Sequence, residues 1–168
     1  IYKFMHSIIE LPYRHNKNLS ILEIGCNNGE HTYFVTPGWE KYIACDIRIP
    51  PKIILSEMEK NNVQFIQADI LKLPFETEKF DRVIITCVLH HLNFPVESLI
   101  KVRNVLKKNG RLDILLPNDP GLMYRFVKFI TTGRRALRNK VYRMHKNIDA
   151  IEHRNHFLSL KQMIKIVF

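Results

Sequence analysis

Long hydrophobic runs are missing from this chain of 168 residues. No apolar stretch approaches the roughly 18 residues that a membrane-spanning helix needs, and no signal-peptide pattern stands in the residues given. Cysteine is scarce: Cys26, Cys45 and Cys87 are the only three. Their spacing contains no C-x-x-C pair and no disulfide framework, so no metal is expected and a reducing, cytoplasmic setting is. Internal repeats and low-complexity segments are absent as well, which argues against a solenoid or a disordered linker. Acidic residues thin out toward the end. Residues 1–116 hold 15 Lys/Arg against 13 Asp/Glu, while residues 117–168 hold 11 against 3. Most of the net charge of +10 therefore lies in the last third. An acidic substrate, a membrane surface or a nucleic acid would each suit such a segment, as would a solvated helical face.

What is present is ordinary for a globular domain: 46% hydrophobic and 25% charged residues, enough to bury one core in a single domain over 1–168. Ile1–Leu11 reads as an amphipathic helix with Phe4, Met5, Ile8 and Ile9 on its apolar side, followed by a basic loop to residue 18. Strands are expected at Leu19–Ile24, Lys41–Cys45, Val63–Ala68, Phe80–Cys87 and Arg111–Leu116. Helices are expected from Glu30, over Lys52–Lys60, and from Pro95 to an Asn109-Gly110 cap, the last with Leu99, Val102, Val105 and Leu106 inward. This alternation specifies an α/β fold, a doubly wound, mainly parallel sheet of at least five strands with helices on both faces. Right-handed crossovers bring the loops after the strands to one edge. After Leu116 the pattern becomes a basic helical C-terminal segment over 117–168, with a helix at Leu158–Phe168.

The stretch Ile21-Leu22-Glu23-Ile24-Gly25-Cys26-Asn27-Asn28-Gly29 organises the rest. A strand ends in an acid and a glycine-bounded turn that opens a helix, the start of an α/β nucleotide-type site. The turn is not the dinucleotide fingerprint G-x-G-x-x-G, because Asn27 stands where that motif needs its second glycine. What remains, E-x-G-x-x-x-G, resembles motif I of the class I S-adenosylmethionine methyltransferases. Asp46 follows Gly25 by 21 residues, Asp69-Ile70 closes the third strand, Leu73-Pro74-Phe75 is similar to that family's "L-P-F" connection, and Val88-Leu89-His90-His91 is similar to its "V-L-H-H" segment. The resemblance covers Leu19 to about Leu116 and implies a Rossmann-like cofactor core over 19–116. The two further strands usual in that family are absent after the last helix, so the chain is expected to be truncated beyond Phe168.

The resemblance implies S-adenosylmethionine as cofactor. Glu23 then reaches the methionine amino group or caps the N–H groups of the turn. Gly25, Cys26, Asn27 and Gly29 form that turn, Asp46 holds the ribose with Ile47 a further cofactor contact, Asp69 and Ile70 take the adenine, and the Cys87 or Val88 carbonyl the amino acid moiety. Attack on a sulfonium methyl is in line, and positioning supplies much of its catalysis. His90 and His91 are candidate catalytic residues, as a base or as acceptor-pocket lining; packing within a loop is the alternative for each. His145, Glu152, His153, Arg154 and His156 are candidates for an acceptor-binding lid, with a surface hydrogen-bond network as the alternative. The expected activity is methyl transfer to an O, N or C atom of a small-molecule acceptor, anionic or lipid-linked acceptors being favoured by the basic last third. An RNA methyltransferase is a second reading, although no N-P-P-Y-type motif follows the fourth strand. A scaffold that binds the cofactor without chemistry is a third.

Overall fold

The computed structural model describes residues 2–116 and 154–168. They fall into two compact units: one holds the chain up to Cys87 together with Glu97–Leu115, the other holds Val88–Val96 and, among the described residues, Leu116 and 154–168.

In the first unit the element order is helix α1 (Tyr2–Glu10), β1 (Ser20–Ile24), β2 (Lys41–Asp46), helix α2 (Lys52–Lys60), β3 (Val63–Gln67), β4 (Phe80–Thr86), helix α3 (Pro95–Val105) and β5 (Leu106–Leu115). α3 begins in the second unit. Among the described residues the sheet has five strands in the order β3-β2-β1-β4-β5, and every pairing is parallel. The fold is thus Rossmann-like and doubly wound, as expected. The order reverses direction between β1 and β4, which makes the crevice beyond their carboxyl ends the topological switch point.

Side chains alternate across the sheet, so each strand divides its residues between two faces. One face carries Leu22, Ile24, Ile43, Cys45, Val83 and Ile85, all buried. The other is apolar where α2 covers it. There Ile21, Tyr42, Ala44, Val63 and Ile84 pack with Met58 of α2, and with the half-buried Ile54, Leu55 and Phe65. Toward β4 and β5 the same face turns polar. Glu23, Arg82 and Asp113 share this face, as the registers Ile21↔Arg82, Glu23↔Ile84 and Ile84↔Asp113 require.

That polar patch decides how α1 docks. The apolar side of α1 faces outward, contrary to its reading as an ordinary amphipathic helix: Phe4 is 65% exposed and Ile8 42%, whereas His6 and Glu10 are 1% and 4% exposed. The reason is Arg82, a guanidinium on a central strand that burial penalises heavily unless it is paired. Glu10 answers it with two hydrogen bonds, Nη1 to Oε2 at 2.9 Å and Nη2 to Oε1 at 2.7 Å. Asp113 accepts from Nε at 2.6 Å, and the guanidinium lies 3.6 Å above the Tyr13 ring centre. Pairing this charge outweighs burying a few more methyl groups, so the helix turns its carboxylate inward.

The helix from Glu30 is short, as the Pro37-Gly38 stop predicts, and amounts to a single 3₁₀ turn, Glu30–Tyr33. The end of α3 differs from expectation. Asn109-Gly110 does not cap α3. It lies inside β5, where Phe80 pairs with Leu106 but Arg82 already pairs with Arg111. The extra residues bulge from the ladder, and Gly110 folds back so closely that a Cβ there would stand 2.8 Å from the Leu106 side chain. Leu99, Val102 and Val105 are buried on α3, as their stripe predicts; Leu106, expected in that helix, is buried as the first residue of β5.

In the second unit a 3₁₀ turn, Leu89–His91, precedes α3, and helix α4 (Phe157–Val167) buries Leu160 and Val167. No helix among the described residues is long and apolar enough to cross a membrane.

Candidate active site

The first unit brings Gly25–Gly29, Asp46, Asp69 and Cys87 to the carboxyl edge of the parallel sheet. The motif turn alternates left-handed residues: φ is +74° at Gly25, +47° at Asn27 and +69° at Gly29. Asn tolerates this region better than most side chains. Asn27 therefore supplies a left-handed bend where the dinucleotide fingerprint has glycine. At Gly29 a φ of +69° favours glycine, and a Cβ there would lie 2.5 Å from the terminal methyl of Met58, which would have to swing aside.

The turn's N–H groups have definite acceptors. Gly25 and Cys26 donate to the Cys45 carbonyl at 2.8 and 3.1 Å, and Gly29 donates to the Cys26 carbonyl at 2.7 Å. Asn27 N–H donates to Asp46 Oδ2 at 2.9 Å. Asp46 also accepts from Arg48 N–H through Oδ1 at 2.9 Å. A carboxylate offers about four lone-pair sites, so two remain for a ligand's hydroxyls. These acceptors answer one of the alternatives for Glu23: the N–H groups named here are capped by Asp46 and by main-chain carbonyls, not by Glu23.

Glu23 is instead buried, 1% exposed, and its Oε2 accepts from the Tyr42 hydroxyl at 2.7 Å. Burial pushes its carboxyl up to about 7, with the His31 ring and the Tyr42 hydrogen bond offsetting part of the rise. His31, two residues past Gly29, turns away from the crevice into the core. Its Nε2 donates to Glu10 Oε1 at 2.9 Å, and its Nδ1 meets Nδ1 of His6 at 2.6 Å. Burial pushes Glu10 up, but hydrogen bonds from His31 and Arg82 outweigh this and hold it below its usual range. Burial lowers His6 to about 4. Nothing in the motif's spacing announces this relay, because its members come from α1, the 3₁₀ turn, β4 and β5; the one available sign is an arginine inside the apolar run of β4.

Elsewhere on the edge, Asp69 caps the following 3₁₀ turn by accepting from Leu71 N–H at 2.9 Å. Ile70 is buried at 6% and Ile47 open at 63%, so of the two, Ile47 presents the free apolar surface. Gln67 donates to the Ile47 carbonyl at 3.0 Å and steadies it. Cys87, just past β4, has φ +56°, an uncommon conformation for a side-chain-bearing residue that tends to mark functional turns. Burial raises all three thiols; they are free and neutral at physiological pH. Among the described residues no group of His, Cys, Asp and Glu is arranged to hold a metal.

In the second unit His90 is 5% exposed, whereas His91 is exposed; their rings lie 3.8 Å apart. The His90 carbonyl accepts from the main-chain N–H of Arg154 at 2.9 Å and of Asn155 at 3.2 Å. The Asn155 amide donates to the carbonyls of Leu92 at 2.7 Å and Leu89 at 3.3 Å. Asn155, which sequence reasoning passed over, is thus the clamp on the His90-His91 turn. Arg154 meets that turn through its main chain, and His156 stands exposed at the start of α4. His145, Glu152 and His153 lie outside the described residues.

A left-handed turn at the switch point of a parallel sheet, flanked by an acid on each of the next two strands, defines a nucleoside-binding site of the Rossmann-like class. Residues 22–114, more than half of the chain, match the family described as "Methyltransferase domain". The chain belongs to that family, the class I S-adenosylmethionine-dependent methyltransferases. It is 40% identical over 68 residues to the ubiquinone/menaquinone biosynthesis C-methyltransferase UbiE of Ectopseudomonas mendocina, covering 40% of this chain and 27% of that protein. Over 110 residues it is 24% identical to a tRNA U34 carboxymethyltransferase of Campylobacter fetus, covering 61% and 38%. A solved structure of the trans-methyltransferase CalH in complex with SAH superposes with a TM-score of 0.56 at 32% identity, covering 75% of this chain and 38% of that one. The chain spans half or less of the length of these curated relatives.

Proposed function

We propose that this chain is the cofactor-binding part of an S-adenosylmethionine-dependent methyltransferase acting on an O, N or C atom of a small-molecule acceptor. The observation that carries the reading is Asp46. It is tied to the motif turn through Asn27 N–H and keeps two lone-pair sites for a ribose diol, which is the fit an adenosyl group asks of this edge. In this reading Gly25, Cys26, Asn27 and Gly29 form the floor, and Glu23 faces the amino group. Ile47, Asp69 and Ile70 take the adenine, and the main chain at Cys87 and Val88 takes the amino acid moiety. The cofactor, when bound, supplies an electrophilic methyl on a sulfonium. The protein's part is to orient it and exclude water. His91, exposed where His90 is buried, is proposed as the histidine that meets an acceptor, with Arg154 and His156 as further acceptor contacts. An anionic or lipid-linked acceptor suits the basic last third, and the three free thiols suit the cytoplasm.

Calorimetry with S-adenosylhomocysteine tests the reading. The parent should bind and Asp46→Asn should bind at least tenfold more weakly, since an amide accepts from fewer hydroxyls than a carboxylate. Absence of binding by the parent, together with binding of a nicotinamide dinucleotide, would overturn it. The tRNA-modifying relative and the excess of positive charge after residue 116 favour RNA as the second acceptor class. A tRNA affinity that hardly changes between low and high salt would remove that option.

A further inference from the structure

We infer that Tyr42 is a positioning residue for cofactor binding: its hydroxyl hydrogen-bonds Glu23 and fixes it, so that the carboxylate is aimed when the cofactor's ammonium arrives. The inference rests on the proposed role of Glu23 and goes beyond it, because Tyr42 lies on the neighbouring strand and belongs to no motif.

The geometry is specific. Tyr42 pairs with Ile21, and Glu23 with Ala44, so the two side chains are diagonal neighbours on one face of the sheet. Tyr42 is 1% exposed and its hydroxyl stands 2.7 Å from Oε2. Trp39 packs edge-on against the ring, centres 5.3 Å apart, which locks its orientation. Burial, together with the charge and hydrogen bond of Glu23, raises the phenol well above 10, so Tyr42 donates at every working pH. A buried carboxylate with one fixed donor keeps its other lone pairs for a second.

The titratable groups that act on Glu23 are Tyr42 from β2, His31 from the 3₁₀ turn, Glu10 from α1 and Arg82 from β4. Among them Tyr42 and His31 favour the anion, as Arg82 does, while Glu10 opposes it. Glu23 titrates at about 7, so at neutral pH the cofactor meets a mixture of its acid and its anion. Removing the Tyr42 hydroxyl shifts that mixture toward the acid, because a donor to the carboxylate favours the charged form.

The experiment measures binding of S-adenosylhomocysteine and of 5′-methylthioadenosine, which has the nucleoside and thioether but no amino acid, between pH 6 and 8.5. Tyr42→Phe is expected to weaken S-adenosylhomocysteine about tenfold at pH 7, a charge-assisted hydrogen bond's worth. The loss should shrink by pH 8.5 as Glu23 ionises, and 5′-methylthioadenosine should bind unchanged. In a Glu23→Gln background the same substitution should cost nothing further. The parent supplies a second reading independent of any variant: its affinity for S-adenosylhomocysteine should rise through pH 7 while that for 5′-methylthioadenosine stays flat. Equal losses for both ligands in Tyr42→Phe, or a flat profile for the parent, would overturn the inference. If Glu23→Gln weakens S-adenosylhomocysteine and Tyr42→Phe does not, Tyr42 has no positioning role and the proposed function stands. If the parent binds neither ligand, the proposed function itself fails.

Discussion

Replacing Glu23 with Gln should shift the stability difference between the two cofactor-free proteins in favour of the variant as pH rises from acid to alkaline. Glu23 is raised from 4.5 in the unfolded chain to about 7 in the fold. A carboxyl raised by folding holds its proton more tightly when folded, so its ionisation disfavours the native state. The penalty is absent below the unfolded value, grows between 4.5 and about 7, and is complete above. At 1.36 kcal/mol per tenfold change in proton affinity, it amounts to about 3 kcal/mol at pH 8.5 and to less than about 1 kcal/mol at pH 5. Because the side chain is only 1% exposed, solvent screening reduces this little. Glutamine keeps a carbonyl to accept from Tyr42 and carries no charge. Its amide group costs something at any pH, so the reading is the change in the gap between the two proteins, not its size at one pH. Urea unfolding at pH 5 and 8.5, with equal m-values, measures it. The titration of His6, lowered to about 4, acts on both proteins alike and cancels. A gap that stays the same at the two pH values would refute the assignment of a raised, buried acid to the end of β1.

Three other outcomes follow from the same structure. Arg82→Met should destabilise the fold by about 3–5 kcal/mol in urea titrations, since it leaves the buried Glu10 without its cation. Gly29→Ala should cost about 2 kcal/mol or more, and should lower affinity for S-adenosylhomocysteine in calorimetry, because the methyl must displace Met58 and adopt φ +69°. Asn155→Ala should cost about 1–3 kcal/mol, as the Leu92 carbonyl loses its amide donor; hydrogen exchange at the amides of His91 and Leu92 should speed up while that in β1 does not.

The parts of the fold that depend on neighbours in sequence were legible. Strand, turn and acid recur at intervals that a parallel sheet imposes. Lys52–Lys60 forms the helix its pattern describes, and the buried stripe of α3 lies where its apolar spacing put it. The parts that depend on distant partners were not. The sidedness of α1 is set by a guanidinium 72 residues beyond Glu10, and hydrophobic periodicity cannot weigh a charge it does not know is buried. Asn109-Gly110 has the chemistry of a stop signal, yet pairing resumes beyond it because Arg111 finds the register opposite Arg82. The candidate site divides the same way. Gly25, Asp46 and Asp69 could be named from spacing alone. Asn27's left-handed backbone, Tyr42's hydroxyl and Asn155's clamp required three dimensions.

The inward-turned Glu10 has a consequence for how little of this chain can stand by itself. A fragment started at the first strand would carry every motif of the cofactor crevice and would still be built wrongly, with a cation sealed in its middle and half of that cation's neutralising partners cut away. The smallest autonomous piece therefore begins upstream of the motifs, and positions 10, 82 and 113 should vary together or not at all among its kin.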